Sequence, residues 1–323
     1  MARARPRPGV HTSFHPAPVT KYDTRPIDSS PYPLCLVSKG QDPDQMNVRF
    51  MGGAMVVLVF AAYMIIVPLL NLGVIYLGFS VDRATDFASY QTDANSFANV
   101  WGVLASHLAL ASMILVIWCF FHFFNKRKLA WMWSVSPGVR WRYGVLCFAA
   151  ALIIVGAVTV FHWVRGSGWN PPASWGWYVV VIVVTTPFQA LAEEMMFRGY
   201  LMQAFGAIVR NVWVPIILTA VVFAFFHGTQ NPWLFSSRLV FGVLAGILVW
   251  KTGGLEAAVA IHVVNNLCAF ALALFTGTMS QVRTTTSVTW SQSIADVVMF
   301  AVCAGVCWLV ARKMRVPTVV AKH

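Results

Sequence analysis

Three short polar sets interrupt an otherwise apolar chain, and their residue types are those that hydrolytic chemistry uses. Glu193 and Glu194 are adjacent, and Arg198 follows Glu194 by four residues. Further along, Phe223 and His227 are four apart, as are His262 and Asn266. Four residues is slightly more than one helical turn, so each pair shares a helix face. Glu194 and Arg198 can therefore form an ion pair on their own helix. Glu193 points about 100° away from Glu194, which leaves it free of that pair and available for chemistry. His227 could bind a water together with Glu193, while His262 and Asn266 could present two donors to one point. A base, a held water and paired donors are what water activation and stabilisation of a developing anion require.

Each set alone carries little weight, because a single intramembrane His or Asn is more often interhelical glue than catalyst. Together they place a carboxylate pair, an arginine, two histidines and an asparagine on three late segments that hold little else polar. Glu193 and Glu194 are two of only three glutamates in the chain, the third being Glu256. Two carboxylates at membrane depth cost several kcal/mol unless paired, neutralised or hydrated. His107, His122 and His162 have no such company and read as packing or interfacial residues. Asn265 lies off the face shared by His262 and Asn266 and is the weaker amide.

The elements that must position these residues are apolar helices. The 323-residue chain is 58% hydrophobic and only 11% charged. Several runs of about 20 apolar residues are long enough to cross a bilayer core, where a helix satisfies its own backbone. The expected fold is an all-α polytopic membrane protein with about eight transmembrane helices, near 52–79, 98–124, 143–163, 176–203, 213–230, 235–250, 255–275 and 294–311. The sixth reads as the short one, and Pro187 is a candidate kink in the fourth. Residues 1–49 read as a disordered Pro/Arg-rich cytoplasmic tail whose Arg3, Arg5 and Arg7 could touch anionic headgroups. Residues 50–311 form the helical domain, and 312–323 a basic cytoplasmic tail.

Lys126, Arg127, Lys128, Arg140, Arg142, Arg210, Lys251, Arg312, Lys313 and Arg315 fall in alternate loops or the C-terminal tail. That asymmetry places both termini in the cytoplasm and accounts for the net charge of +12 without nucleic acid. The six cysteines contain no CxxC pair, and Cys303 and Cys307 read as small packing residues. From the cytoplasmic end of each span, Glu193 lies about 15 Å deep, His262 about 11 Å, Asn266 about 17 Å and His227 about 20 Å.

In order, the three motifs resemble those of the CPBP family of intramembrane proteases, which includes the CAAX prenyl endopeptidases and bacteriocin-processing or self-immunity proteins. That family carries EExxxR, FxxxH and HxxxN on successive later helices. Here they read Glu193-Glu194-Met195-Met196-Phe197-Arg198, Phe223 to His227, and His262 to Asn266. The resemblance covers about residues 176–275. It implies an endopeptidase in which Glu193 and His227 position and activate the hydrolytic water, His262 and Asn266 form the oxyanion hole, and Glu194, Arg198 and Phe223 support them. The family is often labelled metalloprotease, and Glu193, His227 and His262 could offer zinc one oxygen and two nitrogens. No HExxH is present, and glutamate-activated water without metal is the preferred reading. The expected partners are membrane lipid and a membrane-associated protein or peptide substrate. Arg outnumbers Lys 16 to 7, which points to a GC-rich bacterial genome and hence a bacterial cell membrane. A transporter predicts ionisable residues along a route to both faces, and a scaffold or immunity protein predicts function that survives loss of the motifs.

Overall fold

The computed structural model describes residues 24–322 apart from 43, 167 and 229. Among these residues seven helices are long and apolar enough to cross a membrane, and an eighth apolar helix is shorter. In chain order they are α1 (Met46–Val81), α2 (Val100–Phe124), α3 (Trp141–Gly166), α4 (Trp175–Val209), α5 (Trp213–Phe225), α6 (Pro232–Thr252), α7 (Glu256–Phe275) and α8 (Trp290–Lys313). The chain is an all-α, multi-pass integral membrane protein. Large apolar side chains such as Val57, Ile65, Leu69, Ile153 and Val183 point outward, as lipid-facing residues do.

The short helix is the fifth, not the sixth. Helix α6 starts where the Asn231 side chain accepts from the Leu234 N–H and Pro232 fills the first turn, and it stops at Gly253 with φ 68°. That makes it 21 residues long. Helix α5 ends at Phe225 after 13 residues, a rise of about 20 Å. His227 therefore lies beyond the helix, in the turn before α6.

Helix α4 runs on to Val209, past the expected end at 203, and Pro187 lies inside it. Its middle widens into a π-helical stretch, Met195–Leu201. Such wide turns shift the side-chain register and recur at functional sites. This one begins immediately after Glu194.

Helix α7 packs against both α3 and α4, α6 packs against α5 and α8, and α2 packs against α1 and α4. Helix α7 is pinned at its first residue: Arg140 Nε donates to Glu256 Oε1 at 2.8 Å, and Arg140 Nη1 donates to the Thr252 carbonyl at 2.7 Å.

Residues 24–42 depart from the expected disorder of 1–49, while Arg3, Arg5 and Arg7 lie outside the described residues. Tyr32, Cys35, Leu36 and Val37 are buried. The Tyr32 hydroxyl donates to the Met132 carbonyl, and Arg127 donates to the carbonyls of Cys35 and Leu36 at 2.6 and 2.9 Å. The Ser29 N–H donates to the Val320 carbonyl and the Val320 N–H to the Ser30 carbonyl, so the described segments near the two termini meet at one end of the bundle.

Candidate active site

Helix α4 supplies the carboxylates. Glu194 and Arg198 are fully buried, and Arg198 Nη1 donates to Glu194 Oε1 at 2.7 Å across one turn. Within the buried pair, Glu194 Oε2 and Arg198 Nε and Nη2 have no hydrogen-bond partner among the described residues. Aromatic faces cover the guanidinium instead. Its central carbon lies 4.2 Å from the Phe223 ring centroid, 5.5 Å from Phe241 and 6.0 Å from Phe197. Ring quadrupoles stabilise a cation at these distances. Phe223 is thereby a cover for the arginine, and Phe241 on α6 shares that task. Helix α6 comes this close because residue 242 is glycine: a Cβ there would sit 2.8 Å from Ala220 Cβ and 3.3 Å from Arg198 Nη2.

Helix α7 contributes His262, which bridges the two glutamates. Its Nδ1 lies 2.7 Å from Glu194 Oε1, and its Nε2 lies 3.4 Å from Glu193 Oε2. Glu194, held ionised by Arg198, only accepts, so His262 Nδ1 carries a proton. The longer contact, to Glu193, is an ion-pair distance rather than a committed hydrogen bond. Glu194 thus does more than balance Arg198, because it also orients His262.

Glu193 has a second neighbour, one turn earlier on its own helix. Gln189 Nε2 donates to Glu193 Oε1 at 2.8 Å, and Gln189 Oε1 accepts from Asn266 Nδ2 at 3.0 Å. Asn265 Nδ2 in turn donates to Asn266 Oδ1 at 3.2 Å. Gln189 was absent from the sequence reading. Its spacing of four from Glu193 was the available signal, but an amide inside an apolar span has many innocent explanations.

His227 stands apart from this network. It is exposed, and its Nδ1 lies 2.8 Å from the carbonyl of Phe223. A carbonyl only accepts, so Nδ1 is the protonated nitrogen and, in the neutral ring, Nε2 keeps its lone pair. His227 makes no direct hydrogen bond to Glu193. The Phe223 ring touches both imidazoles, 4.7 Å from His227 and 6.0 Å from His262 by centroid. Arg238 is a further polar residue on this side. It lies one turn before Gly242 on α6 and donates to Gln230 at 2.7 Å.

Among the described residues, the remaining histidines have local partners. His107 Nδ1 lies 2.7 Å from Thr185 Oγ1, His122 stacks on Trp118, and His162 Nδ1 lies 3.0 Å from its own Val158 carbonyl. Cys303 and Cys307 are buried and unbridged.

Among the described residues no three His, Cys, Asp or Glu side chains gather as a metal-binding group. Glu193, His227 and His262 do not form such a group, although Nδ1 contacts like those of His262 to Glu194 and His227 to a carbonyl also accompany metal-bound imidazoles. The metalloprotease label has no support in this geometry.

Comparison with known proteins bears on the same region. Residues 175–268 match the family model described as type II CAAX prenyl endopeptidase, Rce1-like. The match contains all three motifs, so the resemblance to CPBP-type membrane proteins is borne out over that stretch. The chain is also similar to "Uncharacterized protein YyaK" of Bacillus subtilis, at 28% identity over 181 residues, covering 51% of this chain and 60% of that protein. The match thus spans less than two thirds of that relative. No solved structure matches.

Proposed function

We propose that the chain is an intramembrane endopeptidase that hydrolyses a peptide bond of a membrane-associated protein or peptide, with Glu193 as the general base. The single observation that carries this reading is the division of labour between two adjacent buried glutamates. Glu194 is consumed by Arg198 and His262, while Glu193 keeps Oε2 with only a 3.4 Å contact to His262. The Rce1-like match over residues 175–268 supports peptide-bond hydrolysis as the reaction class.

In this mechanism a water lies between Glu193 and His227, whose Nε2 lone pair accepts one of its hydrogens. Glu193 takes the other proton as the oxygen attacks the scissile carbonyl. The tetrahedral oxyanion receives N–H donors from Asn266 and His262, each worth about 3–4 kcal/mol by analogy with other oxyanion holes. The proton held by Glu193 then passes to the departing amine. No step is routed through a metal. Both termini lie in the cytoplasm of a bacterial cell on this reading, as the positive loops imply.

The test compares membrane fractions from cells expressing the wild type and Glu193→Ala, by mass spectrometry of protein termini. A protein or peptide that accumulates uncleaved only in the variant is the expected result. Identical termini in both strains would overturn the assignment.

A further inference from the structure

We infer that Gln189 is a positioning residue that couples the base to the oxyanion donor and assigns Glu193 Oε2 as the atom that takes the proton. The inference rests on the peptidase reading above and deepens it. It starts from the direction of three hydrogen bonds. Asn265 donates to Asn266, Asn266 donates to Gln189, and Gln189 donates to Glu193 Oε1, at 3.2, 3.0 and 2.8 Å. Every link runs the same way, toward the carboxylate.

That direction follows from chemistry. An ionised carboxylate only accepts, so Gln189 must turn its NH2 group toward Glu193. Its carbonyl then faces Asn266, which must answer with its own NH2. The charge on Glu193 therefore sets which way the Asn266 amide points, through one intervening side chain. One Asn266 N–H is spent on Gln189, and the second is left for an oxyanion. Reversing the Asn266 amide would bring two carbonyl oxygens together and remove that donor.

The same contact divides the two oxygens of Glu193. Oε1 is occupied by a strong, charge-assisted bond at 2.8 Å. Oε2 has only the 3.4 Å contact to His262. Amides do not relay protons at ordinary rates, so Gln189 moves no proton itself. It holds Oε1 as an acceptor and leaves Oε2 for the water. Gln189 is only 6% exposed, so water does not compete strongly for these bonds. Its position one turn before Glu193 on a continuous helix fixes the separation.

The test uses the full-length protein in nanodiscs, with two variants. Gln189→Met removes both bonds at similar volume. Gln189→Glu keeps an acceptor for Asn266 but removes the donor to Glu193 and guards against a folding failure of the first. The spectroscopic readout is the infrared carboxylate stretch of Glu193, identified by its loss in Glu193→Gln. Expected is a displaced band in both variants and none in a Thr185→Val control one turn away. In turnover of the peptide found by comparing termini, Gln189→Met loses roughly ten- to a hundredfold in kcat, the worth of a charge-assisted bond. Combined with Asn266→Ala, it loses no more than the weaker single variant, because the two act as a unit. A stationary band, or losses that multiply in the double variant, overturns the inference. A displaced band in a protein whose wild type cleaves nothing overturns the peptidase reading instead.

Discussion

Glu193 and Glu194 are chemically identical neighbours with opposite burdens. Glu194 faces a fully buried arginine, so its replacement strands a charge where no solvent reaches. Breaking one partner of a buried pair costs about 3–5 kcal/mol. Glu194→Gln is therefore expected to lower the thermal unfolding midpoint and folded yield in detergent sharply, while Glu193→Gln leaves both near wild type. Equal midpoints for the two variants would show that the roles are not divided in this way. The half of this division that lies within one helix is legible in sequence, since spacing by four predicts the Glu194–Arg198 contact found at 2.7 Å. The other half is not. His262 reaching Glu194, and Asn266 reaching Gln189, depend on how α7 lies against α4, and a one-dimensional pattern does not carry a crossing geometry. Phe223 was legible as a motif member, but its contact with the Arg198 guanidinium was not.

The elements set these contacts by their ends and by their small residues. Eight apolar segments are readable from hydropathy, but the sixth rather than the fifth reads there as the short one. The cause is local: Asn231 and Pro232 begin α6 earlier than its apolar run, and α5 yields to a turn at Phe226. Gly242→Val is expected to push α5 from α6, because a Cβ there already meets Ala220 at 2.8 Å. A destabilisation of about 1–3 kcal/mol from overpacking should appear in thermal unfolding, together with lost activity as the aromatic cover leaves Arg198. The segment before α1 gives a separate test. Burial pushes the Cys35 thiol up to about 12, so it carries almost no thiolate at neutral pH. Iodoacetamide followed by mass spectrometry should leave Cys35 unmodified in the folded protein. In Gly206→Ala, whose new Cβ would lie 1.9 Å from the Pro33 carbonyl, the segment must move and Cys35 should react. Composition reads residues 24–42 as disordered together with the rest of 1–49, a tail rich in proline and arginine. What orders them is a set of acceptors for Arg127 and a socket for Tyr32, and neither leaves a periodic signal.

At the scale of the molecule, the bundle brings both described terminal segments to one end and leaves the 82–99 and 276–289 loops at the other. The positive loops cluster at the terminal end, so the proposed orientation has both termini in the cytoplasm. A fluorescent protein fused at the C-terminus should then fluoresce, and alkaline phosphatase inserted between Arg83 and Asp86 should be active; the reverse pattern would invert the molecule. The central claim is that a peptide bond is hydrolysed by water that Glu193 activates. The most direct measurement incubates the purified protein in nanodiscs with its accumulating substrate in heavy-oxygen water, then weighs the new C-terminus. The account predicts one heavy oxygen in the wild-type product and, for Glu193→Gln, a rate lower by about two to four orders of magnitude. Cleavage by Glu193→Gln at the wild-type rate would contradict it.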